Sequence, residues 1–125
     1  MANNNQTASQ STSAKEVVMN FVKALNAEDF KTARSYAHDN MKFVGVLGQR
    51  DGADAYFKDM EHMKLKYDIK KAFADGSDVC LLYDLQMSGL TIFGCGWYQV
   101  DEAGLITSLK VVFDPRPVLE QPRRN

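Results

Sequence analysis

Apolar positions in this chain first recur every three to four residues and then, from Lys66 onward, at every second residue. The spacing of Val17, Val18, Phe21, Val22 and Leu25 predicts an amphipathic helix over roughly 14–26. Ser13-Ala14-Lys15-Glu16 fits a capping box in front of it: the serine accepts from a free backbone N–H and the glutamate reaches back. Asn26-Ala27-Glu28-Asp29 interrupts the stripe with turn and cap residues, and a shorter helix follows with Phe30, Ala33 and Ala37 turned inward. Met41 to Leu47 reads as a short extended stretch ending at Gly48. Asp51-Gly52 opens a third helix that carries Tyr56, Phe57, Met60 and Met63 toward the interior.

The period-two half predicts strands. Tyr67, Ile69 and Phe73 mark the first, and Asp75-Gly76-Ser77-Asp78 the turn after it. Val79, Leu81, Tyr83, Leu85 and Met87 alternate along the next, up to Ser88-Gly89. Thr91 to Val100 is a third strand, Asp101-Glu102-Ala103-Gly104 a hairpin turn with Gly104 suited to positive φ, and Leu105 to Phe113 the last strand. Asp114-Pro115-Arg116-Pro117 ends it, since proline cannot donate to a ladder. Helices followed by a meander define an α+β domain over 13–117, between a polar disordered arm at 1–12 and a tail at 118–125.

With 125 residues, 45% hydrophobic and 25% charged, the chain suits one globular domain. A net charge of −1 gives no electrostatic drive toward nucleic acid or anionic lipid, and neither is expected as a partner. The first residues lack the apolar core of a secretory signal, and no run of about twenty apolar residues exists to span a membrane. A soluble, cytoplasmic protein is the expectation. Cys80 and Cys95 lie in apolar strand segments and read as buried thiols, with a bridge between neighbouring strands as the alternative. Two histidines without ligand spacing, and neither HExxH nor cysteine pairs, give no expected metal or cofactor.

The element order, with Val17-Val18, Phe21-Val22-Lys23-Ala24-Leu25-Asn26-Ala27-Glu28-Asp29-Phe30, Tyr36-Ala37-His38-Asp39 and Ala103-Gly104-Leu105-Ile106, resembles the nuclear transport factor 2-like (NTF2-like) superfamily. The ketosteroid isomerase-like and SnoaL-like branches are the most similar. The resemblance implies a cone-shaped, curved antiparallel sheet wrapped over three helices, the cystatin-like α+β form, around an apolar pocket. It also implies a homodimer through the outer sheet face. An isomerase of this family uses a helix-1 tyrosine, a carboxylate base and a protonated acid. Laid over this chain, those positions fall on Phe21, Val44 and Gly96, all apolar or empty. One oxyanion donor is worth about 3–4 kcal/mol and a placed base about 10²–10⁴ in rate, so the resemblance does not extend to steroid isomerisation. The arginine–aspartate pair of the epoxide hydrolase branch falls on Lys110 and Val111 and is incomplete.

Among the remaining polar candidates, Asp39 reads as a helix-end residue or a displaced base, and His38 as a lone imidazole or a proton shuttle. Tyr98 shares strand parity with Gly96 and points into the cone, where its phenol needs a partner; Tyr56 and Tyr36 are similar. His62 falls between stripe positions and is expected to face solvent, and Asp114 reads as a strand-ending turn residue. Trp97, Cys95 and Gln99 take the opposite parity, on the outer face, with Asp84 and Gln86. Gly94-Cys95-Gly96 marks either sheet curvature or room for a ligand.

The first functional expectation is binding of a small apolar molecule in the cone. On the helix and first-strand side its lining would be Phe21, Phe43, Val44, Tyr56 and Met60. On the sheet side it would be Gly96, Tyr98, Leu109, Val111 and Phe113. Alternatives are a lyase, cyclase or isomerase using Asp39, His38 or Tyr98, and a dimeric interaction module.

Overall fold

Ser13 caps the first helix as its sequence dictates. Its Oγ accepts from the Glu16 N–H at 3.1 Å, and the Glu16 carboxylate accepts from the Ser13 N–H at 3.2 Å. The computed structural model describes residues 13–120, so the expected arm at 1–12 and positions 121–125 of the tail lie outside the described residues. Helix α1 spans Ala14–Asn26, α2 Phe30–Ser35, and α3 Ala53–Met63. Strands β1 (Ala37–Val44), β2 (Gln49–Asp51), β3 (Lys66–Asp75), β4 (Asp78–Met87), β5 (Leu90–Val100) and β6 (Ile106–Phe113) form the sheet. A short helix α4 (Arg116–Leu119) follows it, so the described fold runs past position 117.

The six strands lie in the order β2-β1-β6-β5-β4-β3, in one curved, unclosed sheet. Neighbours are antiparallel except β1 and β6, which run parallel. On the concave side α1 packs over β3, β4 and β5, and α3 over β1 and β2. The core between them holds Val18, Phe21, Val22 and Leu25 of α1 against Met41, Leu81, Ile106 and Leu109. Each such side chain contributes about 1.5–3 kcal/mol by leaving water.

Three local expectations are corrected. Ala37 belongs to β1 and not to the second helix: α2 ends at Ser35, and the Ile106 N–H donates to the Tyr36 carbonyl at 2.8 Å, opening the parallel pairing with β6. His38 and Asp39 are therefore strand residues. Phe73 points outward and is 56% exposed, because an irregularity between Ile69 and Lys71 shifts the β3–β4 register and reverses the parity set by Tyr67 and Ile69. Met63, in the last turn of α3, shares the inward face of the helix but is not enclosed, standing 44% exposed at the open edge of the concave side.

Gly94 and Gly96 owe their presence to the tyrosines beside them. Gly94 lies directly opposite Tyr83 on β4, and a Cβ at 94 would meet that ring at 3.3 Å. A Cβ at Gly96 would stand 2.9 Å from Cε1 of Tyr98 and 3.3 Å from the Tyr83 hydroxyl. The space left by these glycines is occupied by protein. Gly96→Ala is expected to lower stability by about 1–3 kcal/mol, since both rings are enclosed. A urea midpoint equal to or above wild type would contradict this reading.

Candidate functional site

The concave face of the sheet, α3 and the loop joining β1 to β2 surround an open cavity of about 700 Å³. The strict alternation of β4 sends Tyr83, Leu85 and Met87 to one wall. Val111 and Phe113 of β6 continue that wall, and Tyr67 of β3 closes one end. From α3 come Tyr56, Met60 and Met63, one helical face apart by three and four residues. Phe43 and the loop residues Gly45, Val46, Leu47 and Gly48 cover the remaining side, with Val118 of α4 at the margin. Gly45 allows Phe43 to lie there, since a Cβ at 45 would stand 2.9 Å from the end of that ring.

Charged and titrating side chains other than tyrosine are confined to one edge of the cavity. They are Arg50 of β2 and Lys58, Asp59 and His62 of α3. Arg50 and Asp59 pair at 2.7 Å, which ties β2 to α3 across the rim. The deeper polar groups are phenols. Burial pushes Tyr56, Tyr67 and Tyr83 above the usual range, so all remain neutral hydroxyls near pH 7. The rings of Tyr67 and Tyr83 meet edge to face at 5.0 Å. Asn26 fixes the Tyr67 backbone: its Nδ2 donates to the Tyr67 carbonyl at 2.9 Å, and its Oδ1 accepts from the Tyr67 N–H at 2.7 Å. The end of α1 thereby sets one wall of the cavity.

The residues expected around the cavity divide into three groups. Phe43, Tyr56, Met60, Val111 and Phe113 line it. Phe21, Gly96, Tyr98 and Leu109 lie in the packed interior, where the Phe21 ring stands 6.2 Å from Tyr98 and 6.5 Å from Tyr56. Val44 is on the convex face, 41% exposed and paired with Lys110 of β6, because Phe43 takes the inward position of β1.

The polar candidates do not converge. Asp39 is exposed and bound to Arg34 at 2.7 Å, whose guanidinium holds its carboxyl below the usual range. His38 accepts from the Asn40 N–H through Nδ1 at 2.9 Å, a local strand contact. Tyr98 is enclosed, and burial keeps its phenol protonated. Tyr36 packs against the core. Asp114 grips Arg116 through both carboxylate oxygens and accepts from its N–H; these bonds hold its carboxyl down at about 2. On the convex face, the Trp97 Nε1–H donates to Asp78 at 2.9 Å and Lys110 sits 4.7 Å above the ring. Asp84 lies 3.7 Å from Lys70, and Gln86 accepts from the Thr91 hydroxyl. Among the described residues no three His, Cys, Asp or Glu side chains gather as a metal site would require. No helix there is long and apolar enough to cross a membrane.

His62 is exposed, as expected, and it also borders the open edge of the cavity, as do Lys58 and Asp59. Their helical positions flank the apolar stripe by one residue on either side, and that adjacency was the available signal.

A curved sheet over helices with an apolar hollow is the NTF2-like architecture. The model of the SnoaL-like domain matches residues 18–109, and the chain belongs to that family. No curated protein matches the sequence. An NTF2-like protein of unknown function from Cytophaga hutchinsonii is 44% identical, with a TM-score of 0.84 over 87% of this chain and 96% of that one. An epoxide hydrolase from M. tuberculosis, of the LEH-like kind, is 25% identical, with a TM-score of 0.72 over 89% of this chain and 90% of that one. An epoxide hydrolase/cyclase-like enzyme of pyran ring formation in the polyether salinomycin shares the fold, at 18% identity and a TM-score of 0.72, over 81% of this chain and 90% of that one.

Proposed function

We propose that this chain binds a small apolar molecule in the cavity between α3 and the sheet, without isomerase chemistry. The observation that carries the reading is a hollow of about 700 Å³ whose deep walls are Leu, Met, Val, Phe and neutral tyrosines. A cavity of that size suits a drug-sized ligand, and the phenols of Tyr56, Tyr67 and Tyr83 supply the few polar contacts that orient one. Apolar or empty side chains at Phe21, Gly96 and Phe43, which takes the inward position beside Val44, support the absence of the isomerase set. The lyase, cyclase or isomerase alternative has little support, since Asp39 is paired in solvent, His38 is held by backbone and Tyr98 is enclosed. Titration with the neutral dye N-phenyl-1-naphthylamine tests the proposal. Saturable, blue-shifted emission at one dye per chain is expected; emission that rises without saturating would overturn it.

A second reading concerns assembly. Phe73, Phe93, Trp97 and Val112 are each 43–59% exposed on the convex face. Register places Phe73 and Trp97 on either side of Cys80, and Val112 opposite Cys95. A second copy of the chain would cover this face and remove that surface from water. Light scattering is expected to give twice the chain mass for wild type and a shift toward monomer for Val112→Lys. A wild-type monomer at high concentration would refute the pairing.

A further inference from the structure

The convex face also carries both cysteines of the chain. Cys80 stands opposite Trp97 and Cys95 opposite Leu82, so the two are diagonal neighbours across β4 and β5. Strand parity sends both to the same side, where they are free thiols, half-buried, with Sγ atoms 3.2 Å apart. A disulfide requires about 2.05 Å between sulfurs, so the pair must close by about one ångström to bond. The same strand positions hold the partners in place. Each cysteine is flanked along the ladder by paired residues of β3 or β6, Phe73 beside Cys80 and Val112 beside Cys95.

We propose that Cys80 and Cys95 form a dithiol modification site, which a low-molecular-weight disulfide oxidises to an intramolecular disulfide. One protein thiolate attacks the reagent RSSR, forming a mixed disulfide on the protein and releasing one RSH after protonation. The second thiolate attacks the protein sulfur of that mixed disulfide. The Cys80–Cys95 bond forms as the protein–reagent bond breaks, and the second RSH leaves. Two electrons and two protons pass from the protein to the reagent, so the step balances. Contact between the sulfurs makes the second step effectively unimolecular, so the mixed disulfide does not accumulate. Burial, then the hydrogen bond shared with Cys80, push the Cys95 thiol up to about 11, which slows attack by that sulfur near neutral pH. The site lies on the opposite side of the sheet from the cavity, so its test stands apart from ligand binding; where a second copy covers this face, the reagent reaches the thiols in the dissociated chain.

The test incubates the folded, full-length chain with excess oxidised glutathione at neutral pH, alkylates remaining thiols and measures mass under denaturing conditions. Wild type is expected to lose two hydrogens, to carry no glutathione and no alkyl group, and to remain single-chain in mass. Cys80→Ser and Cys95→Ser each remove the ring-closing thiol, and at least one is expected to stop with a single glutathione attached. Wild type that retains glutathione, forms a disulfide-linked dimer or keeps both thiols alkylatable would overturn the proposal.

Discussion

Phe21→Ala is expected to lower the free energy of unfolding by about 3–5 kcal/mol, read as a fall in the urea midpoint. The ring is fully buried on the inner face of α1, and it meets Phe57 edge to face at 6.0 Å, Tyr98 at 6.2 Å and Tyr56 at 6.5 Å. Removing it deletes the contact through which α1 and α3 share one aromatic cluster over β5. The void cannot collapse easily, because its walls are fixed by a helix on either side and a sheet beneath. Phe21→Leu keeps most of the volume and is expected to cost less, while leaving dye affinity within about threefold. A loss below about 1 kcal/mol for Phe21→Ala would mean that the residue is not enclosed.

Val111→Arg is expected to weaken dye binding at least about 100-fold while the protein remains folded. Val111 is half-buried on the cavity wall, opposite Gly96 on β5 and one residue from the exposed Val112. An arginine there fills part of the hollow and sets a cation, or its hydration, against apolar walls. A penalty of about 3 kcal/mol corresponds to that loss of affinity. Its stem can reach the open side of the cavity, so the fold tolerates the change. Unchanged affinity in a folded variant would place the dye elsewhere.

The fold was legible where one physical signal decided the outcome. The α1 boundaries follow from the capping box and the apolar stripe that ends at Asn26. The β4 wall follows from unbroken alternation between Val79 and Met87. Where two signals competed, the reading failed: Ala37 fits a helical stripe, but parallel pairing with β6 claims it for β1, and such long-range pairing leaves no local mark. Phe73 failed for a related reason, because the irregularity after Ile69 carries no glycine or proline to announce it.

The candidate site was half legible. Parity gave Val111 and Phe113 their inward direction, and helical spacing gave Tyr56 and Met60 theirs. Periodicity separates inside from outside but not a cavity wall from a filled interior, so it predicts Phe21, Tyr98 and Leu109 as lining although they are packed core. Val44 was lost by a single step of register, the smallest error a strand permits and one that reverses the face.

Methionine methyl resonances offer the most direct test that the hollow is a binding site. Met60, Met63 and Met87 border it, whereas Met41 is fully buried in the core and Met19 packs against the core away from it. With ¹³C-methyl methionine labelling, an added neutral aromatic ligand should shift Met60, Met63 and Met87 in a saturable manner and leave Met19 and Met41 in place. Shifts at Met19 or Met41 equal to those at Met60, or no shifts up to the solubility limit of the ligand, would contradict a ligand-binding cavity.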